Sequence, residues 1–199
     1  MSELKCINGN NTLICCFGGM ALQMGGIQPF EFLRYLSSIY KSRCDLLFYI
    51  DKHQCCYHKG IDGITNTIEE TVVYLNNIIN NYKYEKIIFM GTSAGGYASI
   101  LFGSLCNNID YVIGFIPKTK LDRPINKDYS NLKDIINTNT QYTLFGDKSI
   151  RNINDDHHIS QCEILEDFTN VKIIKMEHVD LHLFSFKTPI LQGKKIRKM

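Results

Sequence analysis

Six short runs of nearly unbroken apolar residues punctuate this chain, at residues 13–17, 45–50, 86–90, 111–116, 142–145 and 171–176. Each is of strand length, and a strand covered on both faces reads this way. Between them lie stretches with the helical period. In residues 30–40, Phe30, Leu33, Leu36 and Ile39 recur at helical spacing, with Pro29 at the start. Residues 65–80 carry Ile68, Val72, Val73, Leu75, Ile78 and Ile79, and residues 93–105, 156–168 and 184–192 complete the helix candidates. The alternation predicts a three-layer α/β sandwich, a mostly parallel sheet of about six strands with helices on both faces. In such sheets active sites gather at the carboxyl ends of the strands.

At 199 residues the chain fits one domain, residues 1–199, large enough to bury its own core. Residues 117–140 are the longest stretch without an assigned element, with one short helix expected around 132–136. A connection of this length is often functional. It is short for a closing lid, so little or no lid and a fairly open site are expected.

Net charge is +2, too weak a balance to suggest a nucleic-acid partner. The basic run Lys194, Lys195, Arg197, Lys198 reads as a solvated tail. No apolar run approaches the roughly 18 residues of a membrane span, and the polar start gives no signal peptide. Most of the eight cysteines sit inside apolar runs, as Cys15 and Cys16 do, where free thiols behave as small hydrophobes. A reducing, cytoplasmic location is expected.

The chemistry centres on Ser93. The run Ile87-Ile88-Phe89-Met90 leads straight into Gly91-Thr92-Ser93-Ala94-Gly95-Gly96 and then into a helical stretch. A bare Gly-x-Ser-x-Gly is weak, arising by chance in about one chain in ten to twenty at average glycine usage. Placed between a strand and a helix it is a nucleophile elbow. Small flanking residues permit the sharp turn, the serine Oγ stands clear of the sheet, and the helix N-terminus presents unpaired N–H groups. Ala94 N–H would be one oxyanion donor. A second would come from Gly19 or Met20, because Phe17-Gly18-Gly19-Met20 ends the first run with a glycine pair that lets backbone approach a substrate oxygen.

An acid and then a histidine should follow the serine in chain order. Asp147 and the pair Asp155-Asp156 follow the fifth run; His178 and His182 follow the last. Spacing alone does not choose among them. His157-His158 reads as site rim. His53-Gln54-Cys55-Cys56-Tyr57-His58 has the residue types of a zinc site, yet adjacent cysteines rarely share one ion, so it too reads as a rim loop. No metal and no cofactor is expected.

These residues together resemble a group of largely uncharacterised α/β hydrolases, often encoded beside glycan or polysaccharide genes. The likeness runs over nearly the whole chain: Phe17-Gly18-Gly19, Gly26 with Pro29-Phe30-Glu31-Phe32-Leu33, Phe48-Tyr49-Ile50-Asp51, Tyr57-His58-Lys59-Gly60-Ile61, the Ser93 block, Phe115-Ile116-Pro117-Lys118-Thr119, Asp155-Asp156-His157-His158, and His182 before Gly193. The resemblance implies Asp155 as acid and His182 as base, ahead of Asp147, Asp156 and His178. Where related sequences carry an aromatic before the tyrosine, this chain has Cys55-Cys56-Tyr57, a difference that bears on substrate preference. The implied activity is a serine esterase cleaving a carboxylic ester, such as a small acyl group on a carbohydrate or other carrier. An acyltransferase would use the same triad, and a catalytically silent module could share the fold. The first run lacks the Gly-x-Gly-x-x-Gly of a dinucleotide site. The sequence is silent on oligomeric state.

Overall fold

The computed structural model describes residues 1–20, 30–150 and 152–177. Its strands are β1 (Glu3–Cys6), β2 (Thr12–Phe17), β3 (Asp45–Tyr49), β4 (Lys86–Thr92), β5 (Tyr111–Phe115), β6 (Gln141–Asp147) and β7 (Val171–Met176). They form one sheet in the order β1-β3-β2-β4-β5-β6-β7. Every neighbouring pair is parallel except β1 with β3. The predicted parallel α/β sheet is therefore present, with a seventh strand added at its edge. β1 escaped the apolar-run search because Glu-Leu-Lys-Cys is an edge strand, partly exposed and half charged.

Alternation along buried strands sends successive side chains to opposite faces. Leu13, Cys15 and Phe17 pack into the cluster that also holds Leu75, Ile78, Ala98 and Leu101, from the helices α2 (Ile68–Tyr82) and α3 (Ala94–Leu105). Ile14 and Cys16 point the other way, into a cluster with Leu36 of α1 (Leu33–Tyr40) and Phe32. Phe17 is the hub of the first cluster, its ring within 5.4 to 5.6 Å of those of Tyr49, Tyr57, Phe89 and Phe102. All eight cysteines are free thiols.

Local chemistry moves several helix ends away from the expected places. α1 begins at Leu33 rather than at residue 30, because Phe32 takes a left-handed φ of 64° and turns its ring into the core against Phe115. α2 starts on a real cap, Thr67 accepting the Glu70 N–H with acidic Glu69 and Glu70 in the first turn. It then runs past residue 80 to Tyr82, where Lys83 closes it in the left-handed region by donating to Ile79 O. The helix expected over 156–168 shrinks to α4 (Ser160–Glu163). Side chains at Asn152 and Asp155 accept backbone N–H groups two residues on, and such turns compete with helix. Residues 117–140 hold two 3₁₀ turns, Lys127–Tyr129 and Leu132–Ile135. The helix expected at 184–192 lies outside the described residues. Among the described residues no helix is long and apolar enough to cross a membrane.

Candidate active site

The chain runs from β2 to β3 on one side and meets β4 on the other, so the sheet order reverses between β2 and β4. That switch point opens a crevice at the carboxyl ends of both strands. Phe17 pairs with Gly91 at this end, which sets the Gly18–Met20 loop beside the Ser93 turn.

Ser93 sits at φ 56°, ψ −118°, a conformation that costs a non-glycine residue and persists only where surroundings enforce it. The surroundings are the two flanking glycines. A Cβ on Gly91 would lie 2.1 Å from Gly95 O, and one on Gly95 would lie 2.0 Å from Phe17 O. Both obstacles are backbone, so no rotamer change relieves them. Gly95→Ala is therefore expected to cost about 3 kcal/mol or more of unfolding free energy. Gly9→Ala, with φ 78° but open space around it, should cost only about 1 kcal/mol. Urea unfolding of the two variants checks the contrast.

Ser93 Oγ lies 2.7 Å from His157 Nε2. His157 Nδ1 is 3.4 Å from Asp155 Oδ1, which also accepts the His157 backbone N–H at 2.8 Å. The imidazole is mostly covered, its side chain 22% exposed, while Asp155 is 43% exposed. Asp156, next in sequence, pairs with Lys118, whose backbone N–H reaches Ser93 O. Asp147 is used locally: its Oδ1 accepts both the N–H and the hydroxyl of Ser149. His178 and His182 lie outside the described residues. The structure thus brings Ser93 and Asp155 to one histidine, and it is one the sequence reading left on the rim. Asp155 and His157 lie in a turn, where no helical or strand period marks the pair. Its signal was position, on a loop leaving the carboxyl end of β6.

Of the proposed oxyanion donors, Ala94 is the first residue of α3, so its N–H lies outside the helix's own ladder. Gly19 is different: its N–H donates to Glu31 Oε1 at 3.0 Å. That corrects the expectation of Gly19 as a donor equivalent to Met20, because its hydrogen is already committed. Met20 O in turn accepts from Gln54 Nε2 at 2.7 Å, so the peptide units on both sides of the turn are fixed. Burial pushes the Glu31 carboxyl up to about 7, against the opposing pulls of the Gly19 N–H and the Thr92 hydroxyl.

A cavity of about 450 Å³ opens beside this turn, lined by Met20, Cys56, Lys118, Arg123, Ile125 and Asp156 among others. Its near wall is the loop after β3. The buried Asp51 carboxylate accepts N–H bonds from Cys55 at 2.7 Å and Tyr57 at 3.0 Å, and this holds Gln54, Cys56 and Tyr57 at φ of 50° to 61°. Burial pushes the Cys56 thiol up to about 12, so it stays protonated. The zinc-like residues of this loop diverge. His53 faces Asp62, Cys55 faces Asp51 and His58 faces Tyr97. Among the described residues no three or more His, Cys, Asp or Glu side chains converge as metal ligands.

His58 joins this loop to the far wall. Asn126 N–H donates to its Nδ1 at 3.0 Å, so Nε2 carries the hydrogen and donates to Tyr97 Oη, which donates to Tyr129 O. The network needs the neutral ring, and burial lowers the His58 pKa against the raising pull of Asp51 and Glu69. The folded state therefore binds fewer protons here than the unfolded one. The stabilisation is present above pH 6.5 and is lost as pH falls through the folded value. Wild-type protein is expected to lose more stability between pH 7.5 and 5.5 than His58→Gln, as read by denaturant midpoints.

Solved structures resemble this architecture over most of their length. A lipase-esterase related protein from Clostridium acetobutylicum superposes with a TM-score of 0.58 at 13% identity, covering 92% of this chain and 93% of its own. An α/β hydrolase from a sediment metagenome of the Mar Chica lagoon gives 0.56 at 14% identity, covering 89% and 84%. The chain has the α/β-hydrolase fold. A structure from a study of carboxylesterases of Nitrososphaera gargenis gives 0.57 at 10% identity over 91% and 87%. No family model and no curated sequence matches the chain. In this sheet β4 leads into the Ser93 turn, and the loop that carries Asp155 and His157 follows β6.

Proposed function

We propose that this chain is a serine hydrolase that cleaves a carboxylic ester through an acyl-enzyme. The observation that carries the reading is the 2.7 Å contact between Ser93 Oγ, on its strained turn, and His157 Nε2. The fold supports it, since solved structures that share it include a lipase-esterase related protein and carboxylesterases.

In this reading His157 Nε2 takes the Ser93 proton as Oγ bonds to the ester carbonyl carbon. Asp155 orients the ring and stabilises its charged form. Ala94 N–H and Met20 N–H hold the developing oxyanion, each worth about 10²–10³ in rate. The tetrahedral intermediate collapses, the alcohol leaves with the proton from His157, and water repeats the sequence on the acyl-Ser93 carbonyl. The cavity beside Met20 would take the acyl group, and its open, partly charged lining suits a small acyl group on a polar carrier such as a sugar.

A second assignment of the base has its own support. β7 lies hydrogen-bonded beside β6, with Met176 paired to Asp147, and His178 and His182 follow β7 in sequence, outside the described residues. His182 would then be the base, with the other roles unchanged.

A fluorophosphonate probe tests the reading. Stoichiometric labelling of the wild-type protein at Ser93, together with turnover of p-nitrophenyl acetate, is expected. Folded protein that neither labels nor hydrolyses any of a panel from acetyl to long-chain esters and acetylated sugars would overturn it.

A further inference from the structure

Glu31 has no role in the hydrolase reading above, yet it touches the Gly18–Met20 turn. Its Oε1 accepts the Gly19 N–H, and a Cβ placed on Gly19 would meet that same oxygen at 3.1 Å and Ser93 Cβ at 3.9 Å. Its other oxygen, Oε2, and the Thr92 hydroxyl are both buried and make no well-formed hydrogen bond, yet the hydroxyl is near enough to oppose the rise in the Glu31 pKa. Among the described residues the titratable groups that feel its charge are Cys16 of β2 and Tyr57 of the β3 loop, both buried and neutral. Among the described residues no cation acts on it. A buried carboxyl with no counter-ion among the described residues, set against the turn that borders the nucleophile, is costly to keep for packing alone.

We infer that Glu31 is a positioning residue for the oxyanion site: by holding the Gly19 N–H it sets the Gly18–Met20 turn so that Met20 N–H faces the reacting carbonyl. This rests on the hydrolase reading above. The protonated carboxyl serves the role best. It still accepts from Gly19, its own hydrogen can go to Thr92 Oγ1, and it adds no negative charge beside a developing oxyanion. The ionised form keeps the anchor but opposes the transition-state charge, in surroundings where such repulsion is little screened.

Glutamine keeps the acceptor, supplies a donor and cannot ionise, so Glu31→Gln and Glu31→Ala separate the two contributions. Glu31→Ala is expected to lower kcat by about 10- to 100-fold with KM changed far less, a share of what losing a whole donor costs. Glu31→Gln should restore most of that loss. Wild-type kcat/KM should fall by about tenfold between pH 7 and 8.5, and Glu31→Gln should remove that descending limb. Backbone amide exchange supplies a readout without turnover: Gly19 should exchange at least tenfold faster in Glu31→Ala than in wild type or Glu31→Gln. Wild-type kcat in Glu31→Ala, an unchanged descending limb in Glu31→Gln, or unchanged Gly19 exchange would each overturn the proposal. If Glu31→Ala does not fold, the pH profile of Glu31→Gln decides. Failure of the wild-type protein to react with esters or fluorophosphonate would instead overturn the hydrolase reading, and Gly19 exchange would still decide whether Glu31 anchors the turn.

Discussion

Replacing Ser93 with alanine is expected to lower kcat for ester hydrolysis by about 10⁶-fold and to abolish fluorophosphonate labelling, while leaving the protein folded. The magnitude follows from removing the nucleophile of a unit whose members act together, with the residual rate left to binding and the oxyanion donors. The folding half follows from the geometry. The strain of φ 56° belongs to the backbone, and alanine carries the same Cβ into it, so that cost is unchanged. What is lost is the partly buried bond to His157, worth about 1 kcal/mol. Serine to glycine would lose the same bond but accept the positive φ freely, so it should be more stable than the alanine variant by about 1 kcal/mol. Steady-state kinetics and urea unfolding on the same samples read both halves. Retention of more than a tenth of wild-type kcat in the alanine variant would move the nucleophile elsewhere.

The fold was legible because buried parallel strands leave a signature that needs no neighbours. Runs such as Leu13 to Phe17 are apolar throughout, since Cys15 and Cys16 face different cores and both are dry. The elbow was legible for a related reason, since Gly91 and Gly95 stand where backbone atoms leave no room for a Cβ. What escaped was set by tertiary contact. β1 is an edge strand that needs β3 to define it. The helix expected from residue 156 did not form there, because the Asp155 carboxylate accepts the His157 N–H and turns the chain instead. Glu31 appeared in the sequence only as part of the Pro-Phe-Glu-Phe-Leu block. Its tie to Gly19 spans twelve residues and crosses the site, so no local pattern announces it.

His157→Ala is expected to lower kcat about as far as Ser93→Ala does, and the double variant should be no worse than either single one. The near-equality follows if serine and base form one unit, because the serine hydroxyl is a poor nucleophile without a group to take its proton. The geometry favours His157 in that role: it meets Ser93 Oγ at 2.7 Å, and a carboxylate lies 3.4 Å from its other nitrogen. His182→Ala, made in parallel, separates the assignments. If His157 is the base, His182→Ala should change kcat by less than about tenfold, and the fluorophosphonate rate should collapse only in His157→Ala. If the collapse appears in His182→Ala instead, His182 takes the Ser93 proton in the working enzyme, and His157 keeps the hydroxyl's hydrogen-bond partner only in the conformation described. The Asp155→Asn variant carries the argument one step further. Oriented by an amide rather than a carboxylate, whichever imidazole is the base would be held in the wrong tautomer, and kcat should fall by about 10⁴-fold with the fold intact.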